Sequence, residues 1–317
     1  MIAKQYANTL HSDALVAFSK RLRKTHPKYN YIRDEMMQKI AGNIGEKAVM
    51  RELEKLKLSH KFYIFHNLHL YSEISFQVDI LIISPNFALI LEVKNISGEI
   101  EILTNPSILV RTKTNGEKNS FKSPIPQLEE YKYQLSQLFK SLNIKIPIYG
   151  AVTFAFASSY VKTAPVDTVF LLTNEIRNFI RELNTTNSIL TNEELDKIKN
   201  WILIKNREYN SFPLSRYYSI DPSDIMTGVE CPACAYIGMK KVSRNWVCPR
   251  CRNFSKLAHE HTLKDYFLIY KDIINNQECR RFFHLQDKHE ATRILKNNKL
   301  IASGKSRKTE YTMSLFK

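Results

Sequence analysis

Long apolar runs are missing from this 317-residue chain. Its longest stretches, Val78–Ile83 (broken by Asp79) and Phe87–Leu91, are strand-length, far short of the roughly 20 residues a membrane helix needs. The Ala14–Phe18 run is too short for a secretion-signal core, and Lys20-Arg21-Leu22-Arg23-Lys24 follows directly, so no targeting segment is expected. Cysteine is scarce: five residues, four of them in two close pairs. That usage argues against a disulfide framework and for a metal site in a reducing compartment, so the expectation is a cytoplasmic protein without a membrane partner. Internal repeats and low-complexity tracts are absent. Acidic charge is in deficit, 31 Asp and Glu against 47 Lys and Arg, a formal +16. The imbalance is uneven: from Cys231 to Lys317, 18 Lys and Arg face 7 Asp and Glu, which places +11 of the total there. Such concentration points to a polyanionic partner; the bland alternative is a solvated basic face.

Periodicity gives the organisation. Residues 1–37 read as a basic, amphipathic helical lead-in ending near His26-Pro27, with Leu10, Ala14, Ala17, Phe18 and Leu22 at helical spacing. A Gly42-x-x-Gly45-Glu46 turn and a helix from about Asn43 to Leu58 open an α/β region, residues 38–228. Its strands are expected at Lys61–Leu68, Val78–Ile83, Phe87–Val93, Ile100–Leu103, Ile108–Thr112, Ile148–Phe156 and Asp167–Leu172. Helices are expected after Ser123-Pro124 and at Asn174–Leu183 and Thr191–Arg207, giving an α/β layered fold. Ser219–Glu230 reads as the linker to two small modules, residues 229–256 and 257–317.

Acidic residues stand where strands and helices normally exclude them. Glu46, Val49, Met50 and Leu53 lie at i, i+3, i+4 and i+7, so a carboxylate shares an apolar stripe and needs a partner. Asp79 interrupts an apolar strand, and Glu92 and Lys94, two apart, share one face of the next. A two- or four-residue loop between those strands puts Asp79 opposite Glu92, whereas a three-residue loop separates them; the shared face is the expectation. Asp79 and Glu92, with the Val93 carbonyl, could then hold Mg²⁺ or Mn²⁺ through hard oxygen ligands, and Glu46 could reach the ion directly or through water. Lys94 beside them could orient the attacking water or neutralise charge developing on phosphorus.

Asp79, twelve intervening residues and Glu92-x-Lys94 together resemble the PD-(D/E)xK nuclease core. With Gly42-x-x-Gly45-Glu46, Val78-Asp79-Ile80 and Glu92-Val93-Lys94-Asn95, residues 38–157 resemble the nuclease-related domain (NERD) family. The resemblance implies a restriction-endonuclease-like mixed sheet flanked by helices and a Mg²⁺-dependent nuclease. It also implies a glutamine on the helix after the sheet; Gln127-x-x-x-Tyr131 fits, similar to RecB-like nucleases, with both residues on one helix face. One residue departs: many relatives have glycine where this chain has Phe87, which does not readily take a positive φ.

Cys231-Pro-Ala-Cys234 and Cys248-Pro-Arg-Cys251, thirteen residues apart, have the spacing of a closed tetrahedral Zn²⁺ site. Four thiolates leave no open position, so the zinc is expected to be structural; the unit resembles a zinc ribbon. Beyond it, three short helices (261–271, 276–285, 288–297) and two strands around Gly304–Lys308 are similar to a winged helix-turn-helix. Lys288, Arg293, Lys305, Arg307 and Lys308 are the expected phosphate contacts. The function expected is hydrolysis of DNA phosphodiesters by a metal-dependent deoxyribonuclease, RNA not being excluded. The competing expectation is a non-catalytic DNA-binding regulator or adaptor on a nuclease-like scaffold.

Overall fold

The computed structural model describes residues 1–156, 158–184, 188–208, 210–297 and 300–315, without the side chains of Asn297 and Arg307. The chain opens on strand β1 (Ile2–Lys4), helix α1 (Leu10–Arg21), capped by the Thr9 hydroxyl, and the 25-residue helix α2 (Tyr29–Leu53). α2 starts at Tyr29 rather than near Asn43, and Gly42 and Gly45 lie inside it rather than in a turn. Glycine is tolerated in a helix where close packing offsets its roughly 1 kcal/mol propensity cost. Such packing exists at Gly45, where an added Cβ would stand 2.7 Å from the Asn95 Cβ and 3.2 Å from the Ala155 Cβ.

The chain divides into two compact units, Met1–Ala7 with Ile40–Tyr209 and Asn8–Lys39 with Asn210–Lys317. In the first, β2 (Tyr63–Tyr71), β3 (Ser75–Ile83) and β4 (Ala88–Lys94) form an antiparallel meander. A second meander follows, β5 (Gly98–Thr104), β6 (Ser107–Thr112) and β7 (Lys118–Lys122), then α3 (Pro124–Ser141), opened by the Ser123 cap. β8 (Ile148–Phe154), β9 (Ser159–Thr163), β10 (Val169–Leu172), α4 (Ile176–Leu183) and α5 (Asn192–Lys205) complete the unit. The main sheet is mixed, in the order β1-β2-β3-β4-β8-β10, with β1 parallel to β2 and with β4, β8 and β10 mutually parallel along that order. A smaller sheet runs β7-β6-β5-β9. β7 and β9 escape a reading by alternation because Lys118–Lys122 and Ser159–Thr163 are largely exposed and polar.

Strand parity sorts the core into two faces. Ile80, Ile82, Leu89 and Leu91 pack with Val49, Met50 and Leu53 of α2. Leu81, Ile83, Ala88 and Ile90 pack with Leu128, Leu135 and Leu138 of α3.

In the second unit the Ser219–Glu230 segment is packed, not a free linker: Ile220, Ile225 and Val229 are buried. Pro222 only sets a short 3₁₀ turn in it. After α6 (Leu214–Tyr217), a four-stranded sheet is built from β11 (Val229–Glu230), β12 (Ile237–Val242), β13 (Asn245–Val247) and β14 (Phe254–Ser255). α7 (Ala258–Asp265) ends in a π-helical turn, Tyr266–Tyr270, all five residues of which are buried. β15 (Ile274–Asn275), α8 (Asn276–Phe283), α9 (Lys288–Asn297), β16 (Ile301–Ser303) and β17 (Glu310–Thr312) follow, with a sheet ordered β15-β17-β16. α1 closes the core of this unit through Ala14, Leu15 and Phe18. Its last turn carries Arg21, fully buried, whose Nε donates to Asp265 Oδ2 (3.1 Å) and whose Nη1 donates to the Gly228 carbonyl (3.0 Å). Among the described residues no helix is long and apolar enough to cross a membrane.

The close approach at Gly45 yields a prediction. Gly45→Ala gains helix propensity but overpacks the contact with Asn95, and overpacking costs about 1–3 kcal/mol. Urea unfolding should show a net loss; an equal or higher midpoint would mean α2 is free to shift there.

Candidate active site

The loop between β3 and β4 has four residues, Ser84–Phe87, and the ladder runs from Ile83↔Ala88 to Ile80↔Leu91. One step further along this register stand Asp79 and Glu92. The loop ties itself off: the Ser84 hydroxyl accepts from the amides of Asn86 and Phe87, both at 3.1 Å. Phe87 is buried and is not among the residues with positive φ, so this turn has no need of glycine.

Beyond the last ladder pair the Asp79 carboxylate takes the place of a backbone acceptor. Its Oδ2 accepts from the Val93 amide at 2.9 Å. Glu92 is 1 % exposed, and its Oε1 receives the Lys94 ammonium at 2.6 Å. Its other oxygen, Oε2, is buried without a hydrogen-bond partner. Lys94 also reaches Gln127 Oε1 on α3 (3.4 Å), and Gln127 Nε2 donates to the Tyr131 hydroxyl (3.0 Å), as their i, i+4 spacing permits. Gly150 helps α3 to lie close, since a Cβ there would meet Leu128 and Lys132 at 2.9 Å. Asp79, Glu92, Lys94, Gln127 and Tyr131 thus form one connected group. Val93 meets Asp79 through its amide rather than its carbonyl.

Glu46 enters from α2 with a buried partner on β2. His66 Nε2 lies 2.7 Å from Glu46 Oε2, both residues are buried, and the Tyr6 ring packs on the imidazole at 4.8 Å between centroids. The available signal was the apolar stripe: a carboxylate on it required a buried partner, and His66 alternates with Ile64 on β2. Among the described residues the oxygens of Glu46, Asp79 and Glu92 do not gather within 4.8 Å of one another.

The electrostatics follow from burial. Desolvation, and then the charges of Glu92 and Glu46, push the Asp79 carboxyl well above its ordinary range, against the pull of the Val93 amide and Lys94. Desolvation pushes Glu92 up too, with Lys94 opposing and Glu46 adding. Burial and the charge of Glu92 push the Tyr131 hydroxyl up to about 12, so it remains a neutral donor. Buried carboxylates on adjacent strands, one with an unpartnered oxygen, offer the hard-oxygen donors a divalent cation takes, and its charge would offset the cost of burying theirs.

The four cysteines converge in the second unit, with Sγ separations of 3.6 Å for Cys231–Cys251 and for Cys234–Cys248, and all four within 4.8 Å. The two knuckles are built alike. Ala235 and Arg252, each just after its pair, take φ of 55° and 59° and donate their amides back to the Cys231 and Cys248 carbonyls (2.9 Å each). Burial pushes the Cys248 thiol up, but the amides of Cys251 and Arg250 outweigh it and hold it at about 7. Four convergent thiols with amides aimed at them fit Zn²⁺ and leave no position for substrate. Glu230, His261 and Asp265 also gather, but Lys20 (2.6 Å) and Arg21 (3.1 Å) already neutralise the two carboxylates. Lys288, Arg293, Lys305 and Lys308 are exposed; the Arg307 side chain lies outside the described residues.

Fold and site define a mixed α/β protein with a buried acid–lysine group at a sheet end and a separate four-cysteine centre. Residues 41–155, from the last turns of α2 to the end of β8, match the family model of the nuclease-related domain, NERD. The chain therefore carries a nuclease-related domain, which implies nucleic acid as its partner. No curated protein and no solved structure matches the chain.

Two outcomes follow. Raised carboxyl pKa values contribute stability that is full below the ordinary carboxylate range and is lost as pH rises through the raised values. Asp79→Asn, which keeps an acceptor for the Val93 amide, should therefore raise the melting temperature at pH 8 and much less at pH 4. A lower melting temperature at pH 8 would contradict the cost of burying the Asp79 charge. For the cysteine centre, Cys248→Ser should cut bound zinc from one per chain to near none and expose the buried Trp246 to solvent, read by metal analysis and fluorescence.

Proposed function

We propose that the protein is a metal-dependent nuclease that hydrolyses DNA phosphodiesters. The observation that carries this reading is the pairing of Asp79 with buried Glu92, whose Oε2 has no partner, beside Lys94. Asp79 and Glu92, with Glu46, would hold Mg²⁺ or Mn²⁺, the Val93 carbonyl being the further oxygen donor. When bound, such an ion supplies Lewis acidity to the scissile phosphate and acidifies the attacking water. Lys94 orients that water and neutralises charge building on the phosphoryl oxygens as the new O–P bond forms and the P–O bond to the leaving sugar oxygen breaks. Gln127 keeps Lys94 in place and, with Tyr131, offers neutral donors to the strand. His66 holds Glu46 against free rotation.

The C-terminal part of the second unit we read as a winged helix-turn-helix that presents DNA. Its succession of helix, strand, two helices and two strands, with β17 between β15 and β16, supports this. Lys288 and Arg293 on α9 and Lys305, Arg307 and Lys308 between the last strands would meet phosphates.

Purified protein incubated with supercoiled, linear and single-stranded DNA should cleave at least one of them in Mg²⁺ or Mn²⁺. Glu92→Gln and Lys94→Ala should each reduce the rate by about 100-fold or more, the scale for a lost catalytic electrostatic group. Undiminished cleavage by Glu92→Gln would reject this site. Salt-sensitive binding without turnover in any metal would favour the non-catalytic adaptor.

A further inference from the structure

In the second unit a cleft of about 270 Å³ opens between the cysteine-bearing sheet and α9. By the scale of roughly 30 Å³ per water, it has room for a phosphodiester and its hydration. Four cations reach it from four places in the chain: Lys241 at the end of β12, Arg244 in the turn to β13, Lys256 after β14, and Arg293 on α9. Two carboxylates, Glu260 and Glu290, also line it, so the excess is positive. His259 adds no charge there. Burial lowers its pKa, and its Nδ1 accepts from Trp246 Nε1 at 3.1 Å.

Lys241 is the informative member. Its ammonium lies 5.2 Å from the centroid of the Trp246 ring, which is itself wholly buried, so the side chain is laid across a rigid surface. Partial desolvation lowers its pKa, Glu290 opposes this, and Arg293 lowers it further. Two like charges from separate elements are thus brought into each other's field in a half-open cleft. Glu290 offsets that proximity in the free protein, and an anion lying between the two cations would be held by both.

We propose that this cleft is a phosphate clamp in which the cysteine-bearing sheet and α9 grip one nucleic-acid phosphodiester together. The proposal rests on the reading of the second unit as a nucleic-acid binder and goes beyond it. It gives the zinc ribbon a direct contact, where it would otherwise be only a staple, and joins Arg293 to three residues of that ribbon. Because the turn carrying Arg244 lies between the two cysteine knuckles, the site depends on the same fold that holds the zinc.

The test uses the full chain with zinc bound and no added divalent cation. Anisotropy titrations across a range of salt use a 20-base-pair DNA duplex, the corresponding single strand and a single-stranded RNA of equal length. Arg244→Ser with Lys256→Ser, both exposed, should weaken binding about tenfold and flatten the salt slope by about 1–2. Glu290→Gln should tighten binding severalfold, a gain that misfolding does not produce. Lys241→Gln and Arg293→Gln should be non-additive in a double-mutant cycle, as groups on one phosphate are. The three probes show whether the phosphate comes from duplex or single strand, DNA or RNA. If the wild type binds steeply with salt while the Arg244/Lys256 variant matches it in affinity and slope, the clamp is wrong and the wider reading survives. If the wild type binds none of the three probes, both fall.

Discussion

Two carboxylates on neighbouring antiparallel strands, placed where the ladder ends, set the terms for the rest of the first unit. Asp79 can be there because its Oδ2 takes over the Val93 amide, a role that a backbone carbonyl fills elsewhere in the sheet. Glu92 can be buried because Lys94, two residues on and on the same face, curls back to it. Neither arrangement offsets the cost of burial, so desolvation pushes both carboxyls upward, with the charges of neighbouring carboxylates adding to it. α3 then closes one side through Gln127 and Tyr131, and α2 brings in Glu46 on a helix that only glycine at position 45 lets so close. The group combines poor electrostatics when isolated with buried hard-oxygen donors, a pattern common where a fold carries function.

The second unit solves a different problem, that of holding several short elements together. Strands of two and three residues supply few ladder bonds, so other ties carry more of the load. The four-cysteine centre joins two knuckles, and a buried Arg21–Asp265 pair with carbonyl partners joins α1 to α7. A buried ion pair of this kind adds little net stability over apolar residues, yet losing one partner is severe because the other charge is stranded. The π-helical turn Tyr266–Tyr270, buried throughout, belongs to the apolar core of the unit.

Several features were legible in the chain because they depend on local rules. The Ser123-Pro124 helix start, the β5–β6 hairpin and the cysteine spacing follow from caps, alternation and ligand chemistry. Others were not. The start of α2 was misplaced because Gly42 and Gly45 read as a break, when the contact with Asn95 is what makes glycine necessary inside the helix. β7 and β9 have no apolar alternation and become strands by pairing with β6 and β5. His66 has no local spacing that names its partner; only the fold sets it 2.7 Å from Glu46.

The amino-acid order alone determined which groups exist and their separations along the chain: Asp79, Glu92 and Lys94 on successive strand segments, and four thiols in two knuckles. It did so because side-chain parity and metal-knuckle spacing are short-range properties. Tertiary structure decided which of these groups meet. The four-residue loop sets Asp79 against Glu92, α3 brings Gln127 to Lys94, and the packing of the cysteine-bearing sheet on α9 puts Lys241 in the field of Arg293. Such encounters depend on how faces distant in sequence pack, which no local pattern encodes.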